Sequence, residues 1–262
     1  MSIYIGTGGY SDTDLLVALY PEGTKKTEFL AEYAKHYAAV EINSSFYAPI
    51  GKKAFDGMLA KSEGRLKFAI KLHQDFTHNL TGTPEAAQAF IEAIGSIIEA
   101  DALACLLLQF PHGFDRTVAN RQYLAALTSW FSGLPLTVEF RHQSWHTAQV
   151  YQSFAQQGII WCSVDYPNVP GLPLSRLILT SQTGYLRMHG KNPNWWDAHS
   201  AAERHDYRYT ETEMQAWAQS IANQQSNFNT LYIFFENTVK AHAVYNIAML
   251  KQALREQNLE VL

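Results

Sequence analysis

Cysteine is scarce in this chain: there are two in 262 residues, Cys105 and Cys162, each inside an apolar run. That scarcity excludes a disulfide scaffold. A thiol in such a run behaves as a small hydrophobe, so a reducing, cytoplasmic setting is the simplest expectation. Charge is sparse too, at 17% of residues, and it is not basic, with a net charge of −4 and a pI near 6.2. A nucleic-acid binder usually carries a basic face to neutralise phosphates, and this balance argues against a generic one. No run of about 18 apolar residues occurs, and the opening MSIYIGTGGYSD has neither a charged n-region nor a long apolar h-region. Neither a membrane span nor a signal peptide is expected. Linkers, low-complexity tracts and repeats of recognisable period are missing as well, so one domain over residues 1–262 is expected.

What the chain does have is alternation. Strand-like runs cover residues 3–7, 38–43, 66–72, 103–110, 136–140, 159–165, 184–189 and 231–236. Between them lie helix-like periods at about 24–37, 52–61, 118–131, 151–157 and 241–255. One further helix starts at Thr83-Pro84, and another starts where Thr210 and Glu213 form a capping box. The link from strand six to strand seven holds Pro167, Pro170 and Pro173 in only 18 residues, so an irregular crossover without a full helix is expected there. Eight strands with interleaved helices in this length predict an α/β fold, a somewhat divergent (β/α)8 TIM barrel. An open doubly wound sheet is the alternative. It would usually carry a GxGxxG phosphate loop after strand one, and Gly6, Gly8 and Gly9 have the wrong spacing, so no cofactor is expected.

The outer face of a barrel strand must be apolar to meet the helices, so the alternate positions point inward. Near the C-terminal strand ends these positions read Glu41 and Asn43, Lys71, Gln109, Glu139 and Arg141, Asp165, Arg187 and His189, and Glu236. Barrel enzymes build their active sites on that rim. Charge alone does not prove a site, because the same residues would also serve as a lattice of structural ion pairs, Glu139 with Arg187 or Glu41 with Lys71. No HxH or HExxH spacing appears and three cations share the rim, so no metal is expected. Lys71 admits two roles, an anion-binding point charge or a Schiff-base amine. Tyr47 and Trp145 join the ligand-contacting positions, since loop aromatics at a barrel mouth stack on sugars or bases; Trp195, Trp196, Tyr166 and Tyr207 share that side. Thr77 with His78 follows strand three and is a weaker pair.

Several segments in order carry a resemblance. They are GTGGY at the start, VEINSSFY at 40–47, FAIK at 68–71, TH at 77–78, LLLQFP at 106–111, VEFRHQSW at 138–145, LRMHG at 186–190, YRYTETEMQAWA at 207–218 and FFEN at 234–237. Together they span the chain, and the sequence resembles the DUF72, or YecE-like, family of uncharacterised proteins. That resemblance implies a divergent TIM barrel and brings no established reaction. Where the family usually reads FNN, this chain has Phe235, Glu236 and Asn237.

The functional expectation is a metal-independent enzyme, a hydrolase, lyase or isomerase, acting on a small polar anion such as a phosphorylated or carboxylated sugar-like compound. Lys71, Arg141 and Arg187 would hold the anion, with Glu139, His189 and Lys71 in the catalytic roles. Glu41, Asn43, Tyr47, Gln109, Trp145, Asp165 and Asn237 would contact the ligand. Two alternatives differ in class: a noncatalytic protein that binds a metabolite or nucleotide, and a metal-dependent phosphodiesterase, which rests on fold-level analogy alone.

Overall fold

Hydrophobic runs four to eight residues long become eight parallel strands in the computed structural model, which describes residues 1–262. They are β1 Ser2–Thr7, β2 Ala39–Ile42, β3 Lys67–Lys71, β4 Leu103–Phe110, β5 Leu136–Phe140, β6 Ile160–Asp165, β7 Thr183–Met188 and β8 Thr230–Phe235. Each lies beside its sequence neighbour, and β8 returns to β1, giving the order β1-β8-β7-β6-β5-β4-β3-β2. The sheet is therefore curled into a nearly closed barrel. The helices that cover it include α1 Thr13–Leu19, α2 Phe29–Tyr33, α3 Ser44–Tyr47, α4 Lys52–Ser62, α5 Gln74–Thr77 and α6 Pro84–Ala93. After these come α7 Gly95–Glu99, α8 Val118–Trp130, α9 Ala148–Gln157, α10 Ala201–Arg204, α11 Glu211–Ala222 and α12 His242–Glu256.

Strand parity sets the packing. Val40, Ile42, Phe68, Ile70, Leu106, Leu108, Val138 and Phe140 face outward into the core shared with the helices, while Ala39, Ala69, Cys105, Leu107, Cys162, Tyr185 and Phe234 fill the interior. Small residues on β2, β3 and β4 leave room for Tyr185 and Phe234 from the opposite wall. Both cysteines are buried in this inner layer as free thiols. The predicted helix starts are present. Thr83 caps α6 by accepting from Ala86 N at 3.2 Å with Pro84 in the first turn, and Thr210 and Glu213 close the box ahead of α11. Such caps are worth roughly 1 kcal/mol each.

The crossover from β6 to β7 has no helix, as its three prolines predict. Hydroxyls tie it to β6 instead. Thr180 Oγ1 accepts from Trp161 N and donates to Ile159 O, Ser163 Oγ accepts from Ile178 N, and Ser175 Oγ accepts from Tyr166 N. Two helix expectations change. The period over 24–37 yields only α2, because residues 24–28 make turns, with Thr24 N bonding Pro21 O and Glu28 N bonding Lys25 O. Helix α1 is an addition that periodicity does not signal, since it buries only Leu15, leaves Val17 90% exposed and so carries no apolar stripe.

One junction carries no ladder. β1 and β2 are the two ends of the sheet order, and Gly6 of β1 meets β2 where a Cβ would overlap the Ala39 carbonyl oxygen. The buried Tyr33 hydroxyl fills the gap, accepting from Thr7 N at 2.8 Å and donating to Ala39 O at 3.0 Å. No helix of the chain is long and apolar enough to cross a membrane.

Candidate functional site

The C-terminal strand ends surround a cleft of about 580 Å³ whose lining includes Asn43, Lys71, Gln109, Arg141, Arg187, His189 and Glu236. Its upper walls carry Asp12, Asp14, Phe46, Tyr47, His78, Arg204 and His205. At its floor sits Arg187, 2% exposed and surrounded by carboxylates. Its Nη2 and Nε donate to Glu41 at 2.7 and 3.1 Å, and its Nη1 donates to Glu139 Oε2 at 2.6 Å. Glu236 Oε2 completes the set at 2.9 Å from Nη2. Tyrosines occupy remaining lone pairs: Tyr185 donates to Glu41 Oε2 at 2.5 Å, and Tyr166 to Glu139 Oε1 at 2.9 Å.

Electrostatics follow from this crowding. Burial works to raise the Glu41 and Glu139 carboxyls, but the Arg187 charge and the hydrogen bonds outweigh it, and both titrate below their ordinary value, Glu139 well below. Glu236 goes the other way. Its burial, reinforced by the Glu41 charge and only partly opposed by Arg187, pushes its carboxyl up to about 8. Glu236 Oε1 has no hydrogen-bond partner, and neither has Asn43 Oδ1, whose Nδ2 donates to Glu236 Oε2 at 3.3 Å. Gly8 is needed here, since any Cβ would collide with the Glu236 carboxylate.

Lys71 is 9% exposed and has no carboxylate within ion-pair distance; its Nζ lies 4.1 Å from the Phe46 ring centroid. Burial, with Arg187 and Arg141 nearby, lowers its ammonium to about 8. Arg141 donates through Nε to Glu139 at 3.2 Å, and its two terminal nitrogens make no hydrogen bond within the protein. His78 on the same wall is lowered to about 4 by burial and by the Lys71 charge.

Both ring nitrogens of His189 have close polar neighbours. His189 Nε2 lies 3.3 Å from Arg187 Nη1 and 3.8 Å from Glu139 Oε1, so it faces a donor and an acceptor at once. Its Nδ1 is 3.2 Å from His205 Nε2. Burial and the Arg187 charge lower His189 to about 4, in agreement with a neutral ring. His189 also stacks on Tyr166 at 5.5 Å between ring centroids.

Most of the residues that the sequence marks as site residues converge on this mouth: Glu41, Asn43, Tyr47, Lys71, Gln109, Glu139, Arg141, Arg187 and His189. Asp165, Trp145 and Asn237 do not. Asp165 points away from the barrel interior, accepting from Trp217 Nε1 at 3.2 Å with Lys191 3.7 Å away, because Ile160, Cys162 and Val164 take the inward parity of β6. Trp145 is buried on the outer face, stacked on Phe140 at 4.2 Å and donating to Phe114 O at 2.8 Å. Asn237 is fully buried beside α12, where its Nδ2 donates to Tyr207 O and Asn246 Oδ1. Tyr166, Glu236 and His205 also belong to the site: the sequence names Tyr166 only among the mouth aromatics and Glu236 only among the inward strand ends, and it does not single out His205. Glu236 carries the parity signal of an inward position, whereas His205 sits in a loop without period.

A parallel barrel with a charged, water-accessible cleft at the C-terminal ends of its strands defines an α/β protein of TIM-barrel type. Within that class the chain belongs to the family described as Protein of unknown function DUF72, which matches residues 4–261. It is 26% identical over 261 residues to the UPF0759 protein YunF of Bacillus subtilis, covering 93% of this chain and 92% of that one. A solved DUF72 family protein of Thermotoga maritima superposes with a TM-score of 0.89 at 32% identity, covering 97% of this chain and 100% of that one. A second, from Enterococcus faecalis, gives 0.87 at 24% identity over 99% and 97%.

Proposed function

We propose that the mouth cleft is the active site of an acid–base enzyme acting on a small, polar, anionic substrate that carries carbonyl or hydroxyl groups. One observation carries this reading: the three buried glutamates all turn to Arg187, which leaves Lys71 and the terminal nitrogens of Arg141 as cations facing the cleft without partners. An anion of carboxylate or phosphate type supplies the missing acceptors. Arg187 acts here as the keystone of the floor, and the anion is held by Arg141 with Lys71. Proton transfer falls to Lys71 and Glu236, whose burial brings both near neutrality, where an acid or base is most effective. Glu139 and His189, expected from the sequence to exchange protons, are a permanently charged carboxylate and a neutral ring on this reading, and they hold the floor and Tyr166 in place. Asn43 and Gln109 orient hydroxyls.

Solvent exchange separates an enzyme from a binding protein. Native mass spectrometry of the purified chain would first identify any small anion that copurifies. Incubation of that compound, and of a panel of hydroxy acids and sugar phosphates, in deuterium oxide should place deuterium at a carbon of at least one of them. Tight binding with no incorporation and no conversion would instead make the chain a metabolite-binding protein.

A further inference from the structure

The amine of Lys71 has chemistry that anion binding does not use. Most other lysines of the chain are either solvent-exposed or paired, as Lys35 is with Glu32, Lys52 with Asp56 and Lys240 with Asp206. Lys71 is buried at the end of β3, faces the cleft, and touches an aromatic ring where an exposed lysine would have water or a carboxylate. The same cleft contains a buried carboxyl oxygen, Glu236 Oε1, with no partner. We propose that Lys71 is a nucleophile that forms an imine with a small anionic aldehyde or ketone whose carboxylate or phosphate is held by Arg141; this deepens the acid–base reading above and rests on it.

The step balances with groups already present. The Nζ lone pair attacks the carbonyl carbon, and a proton passes from nitrogen to oxygen to give a carbinolamine. Glu236 then donates its proton to the departing hydroxyl, water leaves, and a protonated imine remains opposite the Glu236 carboxylate. The positive charge of the imine returns to the place where a lysine ammonium would stand, and the Glu236 carboxylate formed in the same step balances it. A neutral amine is required to start, and burial between two guanidinium groups favours that form. Arg141 turns a general amine reaction into a selective one, because its two free terminal nitrogens fit the planar oxygen pair of an anion.

Reductive trapping tests the proposal on the full chain. The protein is incubated at neutral pH with sodium cyanoborohydride and either pyruvate, dihydroxyacetone phosphate or uncharged butanone, then peptide-mapped by mass spectrometry. Lys71 should be labelled by the two anionic carbonyls about tenfold or more faster than exposed Lys25 or Lys53. Arg141→Met should remove that preference for anionic over uncharged carbonyls. Labelling of Lys71 no faster than the surface lysines, or none, overturns the proposal, and this comparison within the unaltered protein stands even where Lys71→Arg fails to fold. Deuterium exchange that proceeds without any trapped adduct would sink the imine and keep the acid–base reading, whereas an adduct at Lys71 without exchange in any compound would keep the imine and sink that reading.

Discussion

Arg187 and Glu41 meet fork to fork across the barrel, Nη2 to Oε1 at 2.7 Å and Nε to Oε2 at 3.1 Å, joining β7 to β2 through the interior. This geometry uses a planar guanidinium on a planar carboxylate, and it places the charged floor of the cleft on the same residues that bind the two halves of the barrel together. Removing Arg187 leaves Glu41 and Glu236 without a paired cation and Glu139 with Arg141 alone. Arg187→Met is therefore expected to lose roughly 3–5 kcal/mol of stability, read as a lower urea midpoint, and Arg187→Lys should recover only part of it. A variant as stable as the parent would mean that the lattice contributes nothing to folding.

Anion affinity should respond differently. Arg141→Met is expected to leave the fold close to parental stability while weakening sulfate binding about tenfold or more, since a charge-assisted hydrogen bond contributes roughly 1.5–3 kcal/mol. Isothermal titration with sodium sulfate provides the measurement, and an unchanged dissociation constant would count against Arg141 as the anion clamp.

Sulfate also reports the charge of the cleft, to which Lys71 contributes, because sulfate itself does not titrate near neutrality. With the ammonium lowered to about 8, affinity should hold at pH 6–7 and fall as pH rises through 8. Lys71→Met should bind more weakly at pH 6 and show a smaller fall, the remainder belonging to Glu236, which gains its charge in the same range. A wild-type profile that is flat from pH 6 to 9.5 would contradict the assignment.

Glu236 gives a stability signature of its own. Its folded value, about 8, lies above the ordinary carboxyl value, so the folded chain binds a proton that the unfolded chain has released. That contribution is complete below the ordinary value near 4.5 and is lost as pH climbs through 8. Chemical denaturation from pH 7 to 8.5, above the range in which the lowered His78 and His189 act in the opposite direction, should show wild-type stability declining, and Glu236→Gln should flatten the decline. An equally steep curve for the glutamine variant would show that another group is responsible.

The seam between β1 and β2 can be probed in the same way. Tyr33→Phe strands Thr7 N and Ala39 O in a buried place, so a loss of about 1–3 kcal/mol is expected, and Gly6→Ala should be worse because the added Cβ meets the Ala39 oxygen. Thermal unfolding reads both, and neutral effects would show that the hydroxyl bridge is dispensable.

Much of this architecture is legible in strand parity. On β2, β5 and β7 a polar residue falls at every inward position near the strand end, so alternation alone directs Glu41, Glu139, Arg141, Arg187 and His189 to the mouth. β6 is not legible in that way, because Ile160 to Asp165 is buried on both faces and the polar residue Asp165 sits on the parity opposite to that of the other rim residues. Trp145 and Asn237 lie beyond strand ends, where no period operates, and only long-range packing decides that one covers Phe140 and the other anchors a loop to α12. The partners of Arg187 are nonlocal for the same reason. Alternation tells which way a side chain points, and it is silent about Glu41, Glu139 and Glu236 all gathering on one arginine.

Mechanically, the barrel is a split ring closed by a clasp. Seven of its eight junctions are ladders of backbone bonds, and the eighth is a single phenolic oxygen. The segments just beyond that split, 12–14 on one side and 43–47 on the other, form two lips of the cleft. Spreading those lips breaks side-chain contacts but no backbone ladder, whereas spreading any other pair of neighbouring strands breaks a ladder. Amide protons of β1 and β2 beside Tyr33 should accordingly be the first of the sheet to exchange with solvent, and the width of the opening above Lys71 depends on that tyrosine together with the Arg187 floor.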